Sequence, residues 1–418
     1  MLDGTGTRVK FRADMLLNIS ILAAVVATIS LMWLPKVHGS DTWRAMTTPL
    51  ASIIGSGFLV LGPLLDASYG KYAPVVMAGL CAGAYALGSA VRYNISTLHH
   101  RKGRLGKVAD TMETAASWML GFAYIISVAY YLNLFGAFGL SLTSLDNHFD
   151  AQLLTSAVFV LILYVGWTRG FTSLELMEYL SVSVKLAIIA GLLVGMAGFF
   201  TDKWQSGGLI FNAATQTGWQ GVMLALGLIV TVQGFETSRY LGGTYDVETR
   251  ITSMKWAQWL SSAIYMAYIL LMAYVFERGQ LELTETAIVD MMKVVAPILP
   301  VLLVGAALAA QFSAAVADTS GSGGLFHELS GGRISQRLAY AGLCSVGLVI
   351  TWTADVFQII AYASKAFAAY YAMQAAIAAV MAWNRQHRWR AVFFALLFAG
   401  AAAAAVFGKA VEGGGGGT

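Results

Sequence analysis

The apolar run from Leu50 to Leu65 contains Gly55-Ser56-Gly57, two glycines in a stretch otherwise suited to crossing a bilayer as a helix. In hydrocarbon every backbone N–H and C=O has to be paired within the protein. Irregular backbone therefore survives only where it lines a cavity or is covered by neighbouring segments. A second apolar run, five runs later, carries Gln233-Gly234-Phe235-Glu236, again a glycine and here beside an ionisable group. Interrupted spans at corresponding places in two halves of a chain are the arrangement in which a membrane carrier holds its cargo at the breaks.

The remaining composition agrees with a bilayer as solvent. The chain has 418 residues, 58% hydrophobic and 11% charged, against about 25% charged in a soluble domain. Cys81 and Cys344 both lie in apolar runs and read as small core residues, with no disulfide or metal framework expected. Met15 to Leu34 is too long for a signal-peptide core and has no small-residue cleavage site, so it reads as mature sequence. The tail Gly413 to Gly417 reads as a flexible end.

Apolar runs long enough to span fall at 15–34, 47–66, 73–95, 112–141, 152–168, 174–200, 219–241, 252–276, 294–326, 335–353, 356–383 and 390–408. The expected fold is an all-α integral membrane protein with about 12 transmembrane helices. Its core is a five-plus-five inverted repeat, with one extra leading helix and one trailing helix. The corresponding segments are 1–46 with the leading helix, 47–200 and 201–383 as the two repeats, and 384–418 with the final helix and tail.

Alternate loops are basic. His99, His100, Arg101, Lys102, Arg104 and Lys107 follow the third span; Arg169 follows the fifth, and Arg239, Arg250 and Lys255 the seventh. Arg333 and Arg337 follow the ninth, and Arg385, Arg388 and Arg390 the eleventh, whereas the intervening loops carry Asp146, Asp150, Glu277, Glu282, Glu285 and Asp290. The basic side is the cytoplasmic one. The first interrupted span thus starts inside, in what is expected to be the cytoplasmic membrane of a bacterial cell. Arg8, Lys10 and Arg12 run against this rule if the leading helix crosses, which is the reading preferred here over a helix lying in the interface.

Several local motifs resemble the amino acid–polyamine–organocation superfamily, whose fold is of the leucine-transporter type. Ile53-Ile54-Gly55-Ser56-Gly57-Phe58 is similar to its broken first core helix, and Gln233-Gly234-Phe235-Glu236 to the break of its sixth. Arg169-Gly170 followed by Lys185 resembles the junction of its fourth and fifth core helices, and Ser364 within Ala361 to Phe367 its tenth. The leading helix, and a single helix after the tenth, depart from the pattern. The resemblance implies alternating access, with a sodium site formed by the first and eighth core helices, often with adjacent Thr/Ser hydroxyls. In sodium-independent relatives a lysine of the fifth core helix fills that space.

The break residues suit a zwitterion. Unwinding at Gly55-Ser56-Gly57 frees N–H groups at the positive end of a half-helix, where a carboxylate fits. Gly234 ends another half-helix and offers carbonyls to an ammonium. The expected substrate site is Ile54, Gly55, Ser56, Gly57, Phe58, Gln233, Gly234, Phe235 and Glu236, with Tyr124 as a side wall and Phe235 as a gate. Glu236 is costly in a span at about 2.5–3.5 kcal/mol, so it either binds cargo or caps unwound backbone. The ion-coupling candidates are Lys185, Asp318, Thr319 and Ser320: Lys185 stands where sodium would bind, with Asp318 as its expected partner. Glu113, Tyr130 and Tyr131 share the span of Tyr124; Arg92 is expected to snorkel to the headgroups, and Lys365 carries no assigned role.

No catalytic triad, phosphate loop or metal cluster is found, so neither enzymatic activity nor a cofactor is expected. No nucleic-acid partner is expected either, because topology accounts for the basic loops. The chain reads as a secondary transporter of a small amino acid or related amine-bearing solute, proton-coupled or an exchanger. Two alternatives stand: a non-transporting subunit or sensor that binds a partner or a second copy through the leading helix, and a sodium symporter using Thr319 and Ser320.

Overall fold

The computed structural model describes residues 4–55, 57–100, 107–145, 147–168, 171–243, 245–277 and 286–408. The helices are α1 Gly4–Met32, α2 Pro35–His38, α3 Asp41–Ile53, α4 Gly57–Tyr69, α5 Ala73–His100, α6 Lys107–Leu140, α7 His148–Thr168 and α8 Phe171–Gln205. The second half holds α9 Gly218–Gly227, α10 Val247–Met272, α11 Ala287–Val295, α12 Leu299–Leu329, α13 Gln336–Thr353, α14 Val356–Asn384 and α15 Arg388–Phe407. Three-residue-per-turn helix covers Gly70–Tyr72, Ile229–Val232 and Phe235–Gly243, and no strand occurs among the described residues. By length and composition, eight helical segments among them are apolar enough to cross a membrane.

Both interrupted spans are broken where the glycines stand. Helix α3 stops at Ile53 and α4 resumes at Gly57; α9 stops at Gly227, with the short helical stretches on either side of Gln233-Gly234 replacing a continuous α-helix. Side-chain caps set other helix starts: Asp246 accepts from Thr249 N at 2.8 Å, and Asp355 with Gln358 forms a capping box on α14. Helix α12 packs between α6 and α8, and α14 packs against α5 and α6.

The leading helix lies along α8. Gly191, Gly195 and Gly198 form a groove on α8 that receives Val25, Ile21 and Leu17 of α1. Small residues let helix backbones approach in lipid, where packing replaces the hydrophobic effect as the driving force. Arg92 departs from expectation. It does not reach the headgroups but is buried, bonded to the Gln258 side chain and to Tyr85 O at 3.2 Å, over the Tyr85 ring. Gln258 of α10 offers a nearer acceptor than the interface does.

A Cβ added at Gly191 would lie 2.8 Å from Val25 Cγ2 and 3.1 Å from Ile21 O. Gly191→Leu is therefore expected to lift α1 from α8 and to cost about 1–3 kcal/mol in thermal unfolding of the detergent-purified protein. Gly342→Leu, at a glycine facing open space, is the control and is expected to be neutral.

Candidate functional site

The two breaks meet face to face. Gly234 has φ +120°, and a Cβ there would lie 2.6 Å from Ile53 N, at the end of α3. A Cβ at Gly57 would lie 2.7 Å from Thr231 Cβ. Glycine is needed at both places, at Gly234 also for its backbone conformation. Ser56 lies outside the described residues.

The carbonyls freed at the first break are occupied by the chain's own side chains. Lys185, fully buried on α8, donates from Nζ to Ala51 O and Ile54 O, each at 2.8 Å, and to Ser313 Oγ at 3.2 Å. Tyr265 hydroxyl sits 2.9 Å from Ile53 O and 2.6 Å from Thr231 O, joining the two breaks. At the second break Gly234 O takes Thr237 Oγ1 at 2.7 Å, so it is not left open for an ammonium as expected. Glu236 accepts from Gly234 N at 3.0 Å and from the Tyr371 hydroxyl, which is the backbone-capping role. Its Oε1 is buried without a partner.

Lys185 and Asp318 do not pair. Asp318 accepts from Ser52 Oγ at 3.4 Å and from Ser127 Oγ. The reason is helical geometry: Ser313 and Asp318 are five residues apart on α12, about 140° around the axis. Ser313 meets Lys185 of α8, whereas Asp318 meets Ser127 of α6. Thr319 and Ser320 turn their hydroxyls back to Ala315 O and Val316 O of their own helix, at 2.7 and 2.9 Å.

The aromatic residues divide. Tyr124 is fully buried with an unpartnered hydroxyl, within electrostatic reach of Glu236 and Asp318. Phe235 stacks on Tyr371 with ring centres 5.0 Å apart, and Phe58 packs on Tyr265 and Tyr268 of α10, away from the carboxylates. Glu113 pairs with Arg239, while Lys365 is solvent- or lipid-exposed on α14. Sequence reasoning missed Ser52, Ser127, Ser313, Tyr265 and Tyr371. Ser127 was findable: it falls between Tyr124 and Tyr131 at helical spacing, on the face turned to the site.

A cavity of about 510 Å³ approaches this cluster from the basic end of the fold, lined by Arg44, Glu178, Arg239, Tyr124, Ala317 and Ser320 among others. The opposite end is tied down: Thr215 and Gln216 donate backbone N–H to Ser68 O at 3.0 and 2.9 Å, and Tyr69 hydroxyl donates to Gly221 O at 2.7 Å.

Comparison with known proteins places the chain in a family and a fold. A family model described as APC superfamily transporter matches residues 35–408. The chain belongs to that superfamily. The match begins at residue 35, after α1. An uncharacterized protein of Aquifex aeolicus (strain VF5) is 38% identical over 384 residues, covering 90% of this chain and 93% of its own. Among solved structures, a Na+-coupled sialic acid symporter in a substrate-bound outward-open state matches with TM-score 0.58 at 12% identity, over 95% of this chain and 98% of its own. Mhp1, a nucleobase-cation-symport-1 family transporter, closed with bromovinylhydantoin bound, gives 0.57 at 14% identity, over 87% and 90%. A manganese transporter of Eremococcus coleocola gives 0.61 at 12% identity, over 87% and 85%. These likenesses establish the leucine-transporter-type fold and nothing finer. The chain is thus an integral membrane transporter of this superfamily, all-helical, with a five-plus-five repeat core.

Gly234→Ala forces a side chain into left-handed backbone and against Ile53 N. The substitution is expected to cost about 1–3 kcal/mol, read as a lower unfolding midpoint.

Proposed function

We propose that this protein is a secondary transporter of a small amino acid or related amine-bearing solute. It works by alternating access in the cytoplasmic membrane and is not driven by sodium. The observation that carries the reading is the position of the Lys185 ammonium, within 2.8 Å of Ala51 O and Ile54 O and 3.2 Å of Ser313 Oγ. Two carbonyls at the end of a broken helix and a hydroxyl of a facing helix are oxygen ligands of the kind a small cation takes. Here a tethered ammonium takes them. Thr319 and Ser320, the sodium-ligand candidates, have their hydroxyls engaged within their own helix. Asp318, Glu236 and the Tyr124 hydroxyl are the polar groups assigned to the cargo; Tyr124 lines the basic-side cavity, and the two carboxylates are fully buried. Acceptors dominate among these groups, which supports a cargo bearing an amine. The Ile54–Phe58 and Gln233–Glu236 breaks are the hinge and floor of the site.

The test begins with a thermal-shift screen of amino acids, amines and nucleobases to find a ligand. Uptake of that labelled ligand into proteoliposomes then follows, under an imposed pH gradient or an imposed sodium gradient. Uptake is expected to respond to the pH gradient or to unlabelled substrate inside, and to ignore sodium. Stimulation by sodium alone contradicts the reading of Lys185. Ligand binding with no label crossing the vesicle contradicts transport and favours a sensor.

A further inference from the structure

Two carboxylates, Asp318 and Glu236, lie fully buried at the centre of the fold, and neither is paired with a cation among the described residues. Burying an ionised carboxylate without a partner is costly enough that such groups pair, coordinate or carry a proton. The donor bookkeeping separates the two.

Glu236 is held by a backbone N–H, that of Gly234 at 3.0 Å, which donates and cannot reverse. Asp318 is held, among the described residues, by the hydroxyls of Ser52 and Ser127, and a hydroxyl donates or accepts as its surroundings demand. Ser127 Oγ lies within reach of both Asp318 Oδ2 and Tyr124 O, the latter at 3.1 Å. It has one hydrogen, so only one of these contacts is a hydrogen bond when Asp318 is ionised. With a proton on Asp318 both are: the acid donates to Ser127, and Ser127 donates to Tyr124 O.

Lys185 offers no competing proton. Its three N–H groups have three acceptors, and Ser313 is free to accept because its own hydrogen goes to Ala310 O at 3.0 Å. Losing a proton from Nζ would leave two N–H groups for three acceptors.

We propose that Asp318 is the proton-exchange site of this carrier: it holds a proton against Ser127 when the site is empty and releases it when a cationic group arrives. The assignment rests on the transport reading above and leaves the Lys185 ammonium as the fixed cation of the first break. In the step, the Asp318 O–H bond breaks and its proton passes to water of the basic-side cavity. An N–H of the incoming ammonium then takes its place against Oδ2. Ala317 and Ser320, either side of the acid on α12, line that cavity with Tyr124, so the route to water is short. The Tyr124 hydroxyl and Glu236 Oε1, both fully buried and without a partner among the described residues, are available to the arriving group.

The groups facing Asp318 are Ser52 from α3, Ser127, Tyr124 and Tyr131 from α6, Glu178 from α8, and Glu236 from the Phe235–Gly243 segment. Tyr340 of α13 meets α12 further along, at Gly323. The nearby acids oppose a further negative charge at Asp318, and the Lys185 ammonium is committed to Ala51 O, Ile54 O and Ser313 Oγ.

Infrared difference spectroscopy of the full chain in lipid nanodiscs tests this without knowledge of the cargo. Near neutral pH the wild type is expected to show the C=O stretch of a buried protonated carboxylic acid. That band is expected to be lost in Asp318→Asn, kept in Glu236→Gln, and displaced but not lost in Ser127→Ala. A wild type without the band, a band that survives in Asp318→Asn, or one unmoved in Ser127→Ala overturns the assignment. With any ligand found in the screen, Asp318→Asn is expected to lose the response of uptake to a pH gradient, and a retained response also overturns it. Failure to find a transported ligand would count against the transport reading and leave the infrared result standing.

Discussion

The Lys185 ammonium holds the site together. A break in a membrane helix leaves carbonyls that neither water nor the helix can satisfy, and each such buried group costs about 1–3 kcal/mol if left bare. One side chain covers two of them, Ala51 O and Ile54 O, and ties them to Ser313 on α12. The Tyr265 hydroxyl lies within reach of Ile53 O and Thr231 O and has one hydrogen to give, bridging one broken span to the other. The breaks are therefore stabilised by specific donors from α8 and α10 and are not loose segments. Any movement that opens the site has to carry these donors along or exchange them.

This accounts for the division of labour among the charged groups. Of the four ion-coupling candidates, Lys185 is structural as well as electrostatic, Thr319 and Ser320 are turned into their own helix, and Asp318 stands apart on the face toward α6. Glu236 caps the second break through Gly234 N. The leading helix α1, outside the superfamily match, packs on α8, the helix that carries Lys185. It thereby braces the element on which the first break depends.

The sequence made the architecture legible because its signals are strong and local. Runs of apolar residues marked an all-helical membrane fold, and Gly55, Gly57 and Gly234 marked the breaks that the structure contains. Partners across the fold were not legible. Asp318 looked like a match for Lys185 because opposite charges in lipid should meet, yet 140° of helix rotation lies between the Ser313 and Asp318 faces, about what five residues give. Arg92 looked like a snorkelling side chain until Gln258, 166 positions away in the chain, provided an acceptor. Ser52 and Ser313 carried no signal beyond being small and polar near a break. Such residues acquire meaning only when packing decides what they face.

The central claim is that a tethered ammonium occupies the cation position between α3 and α12. Thermal unfolding of the wild type and of Lys185→Ala, each in sodium chloride and in choline chloride at equal ionic strength, tests it most directly. The account predicts a wild type indifferent to the cation, and a variant destabilised in choline by about 1–3 kcal/mol and partly restored by sodium. A wild type stabilised by sodium, or a variant as stable as the wild type in choline, would contradict it.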